Sequence, residues 1–476
     1  MGHPNFVDYA GFVQDEWRIH PRFTFNLGLR YDLQVIRKPT VRNPSAALAI
    51  AGLDTSDLRT DANNIAPRLG LAWAPLQNNR LVLRAGYGLF YARTPSIMTQ
   101  RAYLQNGINS QTTTFSGTSS ALLIPNYPNS FCGSPNPSGL PPNCSPPPAG
   151  DQILEFFAPS STQPYTQQGS FGLETEFAKD WILSASYLVV KGTHLQRVRD
   201  VNLGTPETQS FVDIAQTNKL LTYDRFTLPR PVAGFDRILL MESAASSVYH
   251  ALVAQAARHF SHDFWISGAY TFSKTIDDNP EPIAVNPGPS DSLLLSDATN
   301  PRADRGPGVN DQRHRFVLSG VWLLPGGKLR SHATSTILGG WELSGIFTAQ
   351  TGLPYSGLVN SDLNNDGNSN NDRAPGLGRN TFHLPVTVSL DPRITKNIPL
   401  TERLRLQLLA EFFNVFNRGN VVAVRATQYG LSSSASVCGI AGSPCLVPSN
   451  FGLTAFGTPT VTTGPRIMQF SLKLIF

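Results

Sequence analysis

Apolar and polar residues alternate with a period of two along most of the chain. In FTFNLGLRYDLQ, Phe23, Phe25, Leu27, Leu29, Tyr31 and Leu33 occupy one set of positions and Thr24, Asn26, Gly28, Arg30, Asp32 and Gln34 the other. In LVLRAGYGLFY, Leu81, Leu83, Ala85, Tyr87, Leu89 and Tyr91 oppose Arg84, Gly86 and Gly88. Trp181, Leu183, Ala185, Tyr187 and Val189 repeat the row, as do Phe316, Leu318, Gly320, Trp322 and Leu324. Leu404, Leu406, Leu408, Ala410 and Phe412 face away from Arg403, Arg405, Gln407 and Glu411. The chain closes on Met468, Phe470, Leu472, Leu474 and Phe476, interleaved with Gln469, Ser471, Lys473 and Ile475. Side chains of an extended strand point to alternate faces, so each stretch reads as a strand with one apolar and one largely polar face. The pattern predicts thirteen strands, at about 8–19, 22–36, 64–75, 79–92, 163–177, 180–191, 245–261, 263–275, 312–325, 338–350, 384–399, 401–417 and 463–476.

Many of these strands run to about twelve residues or more, against a usual five or six in soluble sheets; a tilted crossing of a bilayer needs about nine to eleven. The connections decide which solvent they meet. Short turns at HPR (20–22), QNN (77–79), AKD (178–180), His262 and Leu400, with a longer exception at 325–337, alternate with long segments at 37–63, 93–162, 192–244, 276–311, 351–383 and 418–462. Loops above about fifteen residues are uncommon in compact soluble domains. Short turns on one side and long loops on the other are the organisation of outer-membrane β-barrels. Trp17, Trp73, Trp181, Trp265, Trp322, Trp341 and Phe416, near strand ends, fit interfacial girdles. The apolar row would face lipid and the polar row a wet lumen, because only a closed barrel lets strands cross a medium without hydrogen-bond partners. A large soluble sandwich or propeller would explain the alternation but not the loop asymmetry.

Composition sharpens this. A length of 476 residues would suggest two or three soluble domains, but charged residues are only 15% and nothing looks helical over many turns. No run of about eighteen apolar residues marks a transmembrane helix. The opening MGHPNFVDYAGF has no basic segment followed by an apolar core, so no signal peptide is expected in it. The net charge of +5 is carried by scattered Lys and Arg, which argues against nucleic acid as a partner. Cys132 and Cys144 bracket a Pro/Gly/Ser/Asn segment, and Cys438 and Cys445 bracket GIAGSP. Local pairs in loop-like sequence predict two disulfides and an oxidising compartment; four unrelated thiols are the alternative. Metal spacing is absent.

The segments YAGFVQDEWRIHPRFTFNLGLRYD, NNIAPRLGLAWAP, LVLRAGYGLFYAR, GSFGLETEFAKDWILSASYLVVKGTHL, DQRHRFVLSGVWLLPGG, GWELSGIFTAQTGLPYS and LRLQLLAEFFNVFNR, taken in order, resemble the C-terminal barrel of TonB-dependent outer-membrane receptors. They resemble most the Oar-like group, which carries an N-terminal carboxypeptidase-regulatory-like domain. The resemblance implies an all-β antiparallel transmembrane barrel of twenty-two strands, filled by a plug and powered by TonB. It implies uptake of a scarce nutrient, such as a metal chelate, vitamin or glycan. The final strand, with Phe470, Leu472, Leu474 and the terminal Phe476, resembles the signal read by barrel-assembly machinery. Strand pattern starts within the first ten residues, with no plug or TonB box before it, and about nine strands fall short of the family's count. Residues 1–476 are therefore expected to be a partial barrel, lacking the plug and first strands, for which the TonB complex is a partner only if those parts lie upstream. A plugless passive or surface-adhesion barrel is the alternative function.

Candidate chemistry is sparse. In SDLNNDGNSNNDR, Asp362, Asn364, Asp366, Asn368 and Asn370 follow the oxygen-ligand spacing of a calcium loop, with Gly367 at the sharp turn. Arg373 stands where a bidentate Glu belongs, with Asp372 one residue early. An ion-free Asn/Asp/Gly turn is the other reading. No other cofactor is expected. Between 276 and 315 lie Asp277, Asp278, Glu281, Asp291, Asp297, Arg302, Asp304, Arg305, Asp311, Arg313, His314 and Arg315, either a solvated ion-pair belt or contacts to ligand or lipopolysaccharide. Arg30, Arg84, Arg403, Arg405 and Glu411 fall on the lumen row. No HExxH, GxSxG or P-loop is present, so no enzyme is expected.

Overall fold

The computed structural model describes residues 6–110, 112–113, 130–131, 144–145, 152–214, 219–261, 263–278, 294–325, 338–369, 371–401, 403–439, 444–448 and 455–476. Thirteen strands among them form one continuous antiparallel path. They are β1 (Phe6–His20), β2 (Phe23–Ile36), β3 (Ile65–Trp73), β4 (Leu81–Tyr91), β5 (Tyr165–Ala178), β6 (Trp181–Asp200) and β7 (Phe235–Ser261). Then follow β8 (Phe264–Asp277), β9 (His314–Leu323), β10 (Trp341–Gln350), β11 (Thr387–Pro399), β12 (Arg405–Phe413) and β13 (Ile467–Ile475). Each predicted strand has its counterpart. Strands β1 and β13 end the path, each with one neighbour in it.

The registers carry one apolar face across the whole wall. Phe25 pairs with Leu71, Leu71 with Ala85, Ala85 with Phe171, Phe171 with Tyr187, Tyr187 with Leu252 and Leu252 with Phe272. Further round, Leu318 pairs with Phe347, Phe347 with Leu390, Ile394 with Ala410 and Ala410 with Phe470. A one-residue slip in any pair would turn that strand's apolar row inward, so the hydrophobic pattern selects the register. These side chains stay open: Phe470 is 73% exposed and Leu472 67%. In water so long an apolar band would be a liability, and lipid is the medium that removes the cost. Trp73, Trp181, Trp322 and Trp341 sit on this face at the turn ends, whereas Trp265 lies on the polar face, because Phe264 is the residue that pairs with Trp322. The short turns use Asn79, Asp180 and Asp263 in the left-handed region (φ 54°, 67° and 62°), a conformation that Asn and Asp tolerate.

The long connections are not bare loops. Strands β6 and β7 run on past the wall to Asp200 and back from Phe235, with the ladder shifting register between Gly192 and Gln196. Gln152–Phe157 adds a parallel strand to this extension, Leu154 opposite Ile238 and Phe157 opposite Met241. A separate five-stranded sheet runs Lys219–Phe226, Pro206–Asp213, Cys445–Pro448, Thr427–Ser432, Leu358–Val359. All four buried apolar clusters among the described residues belong to this outer cap or its junction with strand tops. One gathers Leu154, Phe156, Phe235, Ile238 and Leu240; another gathers Phe211, Val359, Leu363, Tyr429 and Leu446.

Candidate functional site

The cap is where charged and polar groups converge. Arginines hold its layers together. Arg230 donates to Asp200 (2.9 Å), pairs with Asp236 (2.9 Å) and donates to the Asp366 carbonyl (2.8 Å), so it joins the top of β6 to the 362–372 loop. Arg373 donates to Asp304 (2.6 Å) and to the Ser296 hydroxyl (2.8 Å). Arg379 pairs with Asp277. Arg197 donates to Glu242 (2.7 Å). The 276–315 charges read either as a solvated ion-pair belt or as contacts to ligand or lipopolysaccharide, yet Asp277, Asp304 and Asp311 are buried. Each has a cationic partner, Arg379, Arg373 or Lys274, and removing that partner would leave a costly unpaired charge. Glu281 and Asp291 lie outside the described residues. The partners were invisible in sequence because they are far along the chain, Arg379 from Asp277 and Arg373 from Asp304.

Between these layers opens a cleft of about 490 Å³. Tyr223, Asp224, Ser296, Asp297, Asn364 and Arg373 contribute to its lining. Asp224 accepts from the Thr208 hydroxyl at 2.8 Å and Asp297 from the Thr299 hydroxyl at 2.6 Å. A second, smaller cavity of about 170 Å³ lies against the polar face of β1, β2 and β4, lined by Asp8, Arg30, Asp32, Arg68 and Arg93 among others.

The Asp/Asn loop folds on its own backbone. Asp362 accepts from the N–H groups of Asp366 (3.0 Å) and Gly367 (2.9 Å), Asn364 from that of Asp366 (2.9 Å), and Asp366 from that of Asn368 (2.7 Å). Gly367 sits at φ 90°, which side chains rarely adopt, as the spacing anticipated. Asp372 accepts from the N–H groups of Leu363 and Asn364 and from the Tyr223 hydroxyl. Burial first, then the neighbouring carboxylate, pushes Asp366 up to about 7 and Asp372 up to about 8. Among the described residues no three acidic, His or Cys side chains are gathered so as to hold a metal. The Asp362 and Asp366 carboxylates are engaged by backbone donors of the loop itself. Asn370 lies outside the described residues.

Cys438 and Cys445 form the expected disulfide, with Cα atoms 5.5 Å apart. The Cys132–Cys144 pairing falls outside the described residues, since Cys132 is among those not described. On the polar face of the wall Arg30 pairs with Asp32 (2.7 Å). Glu411 accepts from Arg393 (2.7 Å), a partner not singled out from the sequence. Phe470, Leu472 and Leu474 stand on the apolar face of β13, opposite Ala410, Leu408 and Leu406, and Phe476 follows it, 94% exposed.

A wall of long antiparallel strands, apolar outside and topped by ordered loops, agrees with what comparison finds. The family described as outer membrane beta barrel domain matches residues 2–377 and 370–469. The chain belongs to this outer-membrane β-barrel domain family. The barrel domain therefore resides in the bacterial outer membrane, with its short turns on the periplasmic side and its cap outside. Over 94 residues it is 30% identical to the TonB-dependent transporter Oar of Myxococcus xanthus, a match to 20% of this chain and 8% of that protein. The crystal structure of the outer membrane transporter YddB from Escherichia coli superposes at TM-score 0.51 and 12% identity, covering 99% of this chain and 45% of YddB. The siderophore receptor PirA from Acinetobacter baumannii gives TM-score 0.48 and 10% identity, over 99% of this chain and 46% of PirA. The barrel domain thus spans less than half of these relatives. The likeness to YddB is one of fold, a wall of antiparallel strands carrying long outer connections.

Proposed function

We propose that the barrel domain is the wall and outer cap of an energy-coupled importer, acting when joined to a plug, and that it admits a scarce nutrient such as a metal chelate, vitamin or glycan. The observation that carries this is the pairing of a lipid-facing apolar surface with a cap that has cores of its own and encloses a polar cleft. A purely structural barrel would not need an internally packed cap with a cavity of ligand size. The TonB complex is the proposed energy source, and barrel-assembly machinery the proposed reader of Phe470, Leu472, Leu474 and Phe476. Catalysis forms no part of the proposal.

The test is growth and labelled-nutrient uptake in cells with and without the full gene product, before and after collapse of the proton-motive force. Uptake lost in both the deletion and the de-energised cells supports energy-coupled import. Entry that survives de-energisation overturns it in favour of a passive barrel, and loss of surface attachment without loss of uptake overturns it in favour of adhesion.

Calcium at the 362–372 loop is a second, separate proposal. Crowding of Asp362, Asp366 and Asp372 supports it, and the backbone donors already on them oppose it. A rise in thermal stability with calcium that Asp366→Ala loses would support an ion; an unchanged calcium response in that variant would overturn it.

A further inference from the structure

On the apolar face of the wall, one sector is different from the rest. Above Tyr187, Leu252, Tyr270 and Phe272, the same face carries Lys191, His250, Lys274 and His314, with Arg313 just beyond β9. The registers establish the face: Val189 pairs with His250 and His250 with Lys274, while Phe272 pairs with His314. Lys191 pairs with Val248, one step further out, and is exposed. His250 and His314 are exposed as well.

Two tyrosine–histidine pairs of matching geometry support this group. Tyr187 and His250 share a 2.7 Å hydrogen bond between Oη and Nδ1, with ring centres 6.0 Å apart and planes at 28°. Tyr270 and His314 do the same at 2.7 Å, 6.1 Å and 28°. With Nδ1 engaged, Nε2 is the atom through which each ring would meet a neighbour. The Arg313 guanidinium, at the edge of this group, lies 5.7 Å from the centre of the Phe272 ring.

Height along the strand matters. His250 and His314 lie level with residues about eight positions up from the periplasmic turns, and Lys191 two further. At a rise of about 3.3 Å per residue and a tilt near 45°, that is roughly 20–25 Å above the inner edge, the outer rim of an apolar band about 25 Å tall. On either side of this sector the face at similar height is uncharged: Tyr91 and Tyr165 on one flank, Ala349 and Val388 on the other. The carboxylates nearby are already occupied. Asp311 is buried and accepts from Lys274 at 2.7 Å and from the Thr275 N–H at 2.6 Å, and Asp278 is held by Ser246. Arg313 shares the same Asp311 carboxylate at 4.0 Å, so the one acid offsets one of these two cations, and Lys191 and the two imidazoles face the headgroup layer.

We propose that this patch, Lys191, His250, Lys274, Arg313 and His314 above the tyrosine belt, binds the phosphorylated headgroup of the outer-leaflet glycolipid, with its acyl chains lying along Leu252 and Phe272. Charge complementarity and depth select this occupant: a phosphate at the rim meets several cationic donors at once, and the chains below meet only apolar surface. The inference rests on the outer-membrane location and not on import, so failed uptake experiments leave it standing.

The experiment titrates bis-phosphorylated lipid A into the full chain in detergent, followed by native mass spectrometry, beside the same lipid with its phosphates removed. Lys191→Gln/Arg313→Gln should weaken binding at least about tenfold. Arg30→Gln/Arg84→Gln, which removes two cations from the opposite face, should leave it unchanged. The wild-type chain should prefer the phosphorylated lipid, a measurement that needs no variant to fold. Equal binding of both lipids by the wild type, or equal losses in the two double variants, would overturn the proposal.

Discussion

The wall and the cap of this barrel domain place the same residue types in opposite surroundings. In the wall, Phe470, Leu472 and Val13 are each more than half exposed, and among the described residues no buried apolar cluster lies beneath the strands. In the cap, Phe211, Ile238 and Leu446 are fully buried and Phe156 nearly so. The wall is held by backbone ladders and by a solvent of acyl chains, so its apolar groups point outward. The cap stands in water, so its apolar groups must meet one another. Charge follows suit. Exposed pairs such as Arg18–Glu16 add little on the wall, whereas Arg379–Asp277 and Arg230–Asp200 join distant segments of the cap in near-complete burial.

The difference can be broken from either side. Phe156→Ala should cost about 3–5 kcal/mol and loosen the cap alone. Limited proteolysis of the cap should quicken while the heat-modifiable gel shift of the folded wall persists; loss of both would show that the regions are one cooperative unit. Leu318→Arg, on the lipid face near mid-wall, should cost about 2–4 kcal/mol in urea-dependent folding into micelles. Gln255→Arg on the polar face should be close to neutral, and equal costs would contradict the assignment of faces. Reducing Cys438–Cys445, which closes a loop of sequence separation 7, should cost about 2 kcal/mol, read as faster protease cutting around 427–448.

The gentlest lever is pH. Asp366 titrates at about 7 and Asp372 at about 8 in the folded cap, raised by burial and then by neighbouring carboxylates. An unfolded Asp titrates near 3.9, so the folded cap retains protons that the unfolded chain has released. That contribution is complete below about pH 4 and drains away as pH climbs through about 8. Thermal melts followed on the cap should drift downward over this range, and Asp372→Asn should flatten the drift. A slope of opposite sign would mean that a cation sits among the carboxylates.

How far the sequence reached follows the same division. Period-two alternation marked all thirteen wall strands, because each contacts two unlike media and the contrast is written residue by residue. The same rule missed Gln152–Phe157 and the Phe235–Met241 extension of β7: buried on both faces, ILEFF and the ILLM of β7 show apolar runs without alternation, and their segments read as loops. Asp277, Asp304 and Asp311 looked solvated because nothing near them in sequence reveals Arg379, Arg373 or Lys274. The Lys191–His250–Lys274–His314 patch was equally hidden, its members coming from four strands. What the chain determines by itself is which face of each strand meets lipid, since that depends only on local spacing. Which charges are buried, which loops share a core and which cations align at one height are decided by strand registers and loop packing, because those bring together residues that local pattern cannot connect.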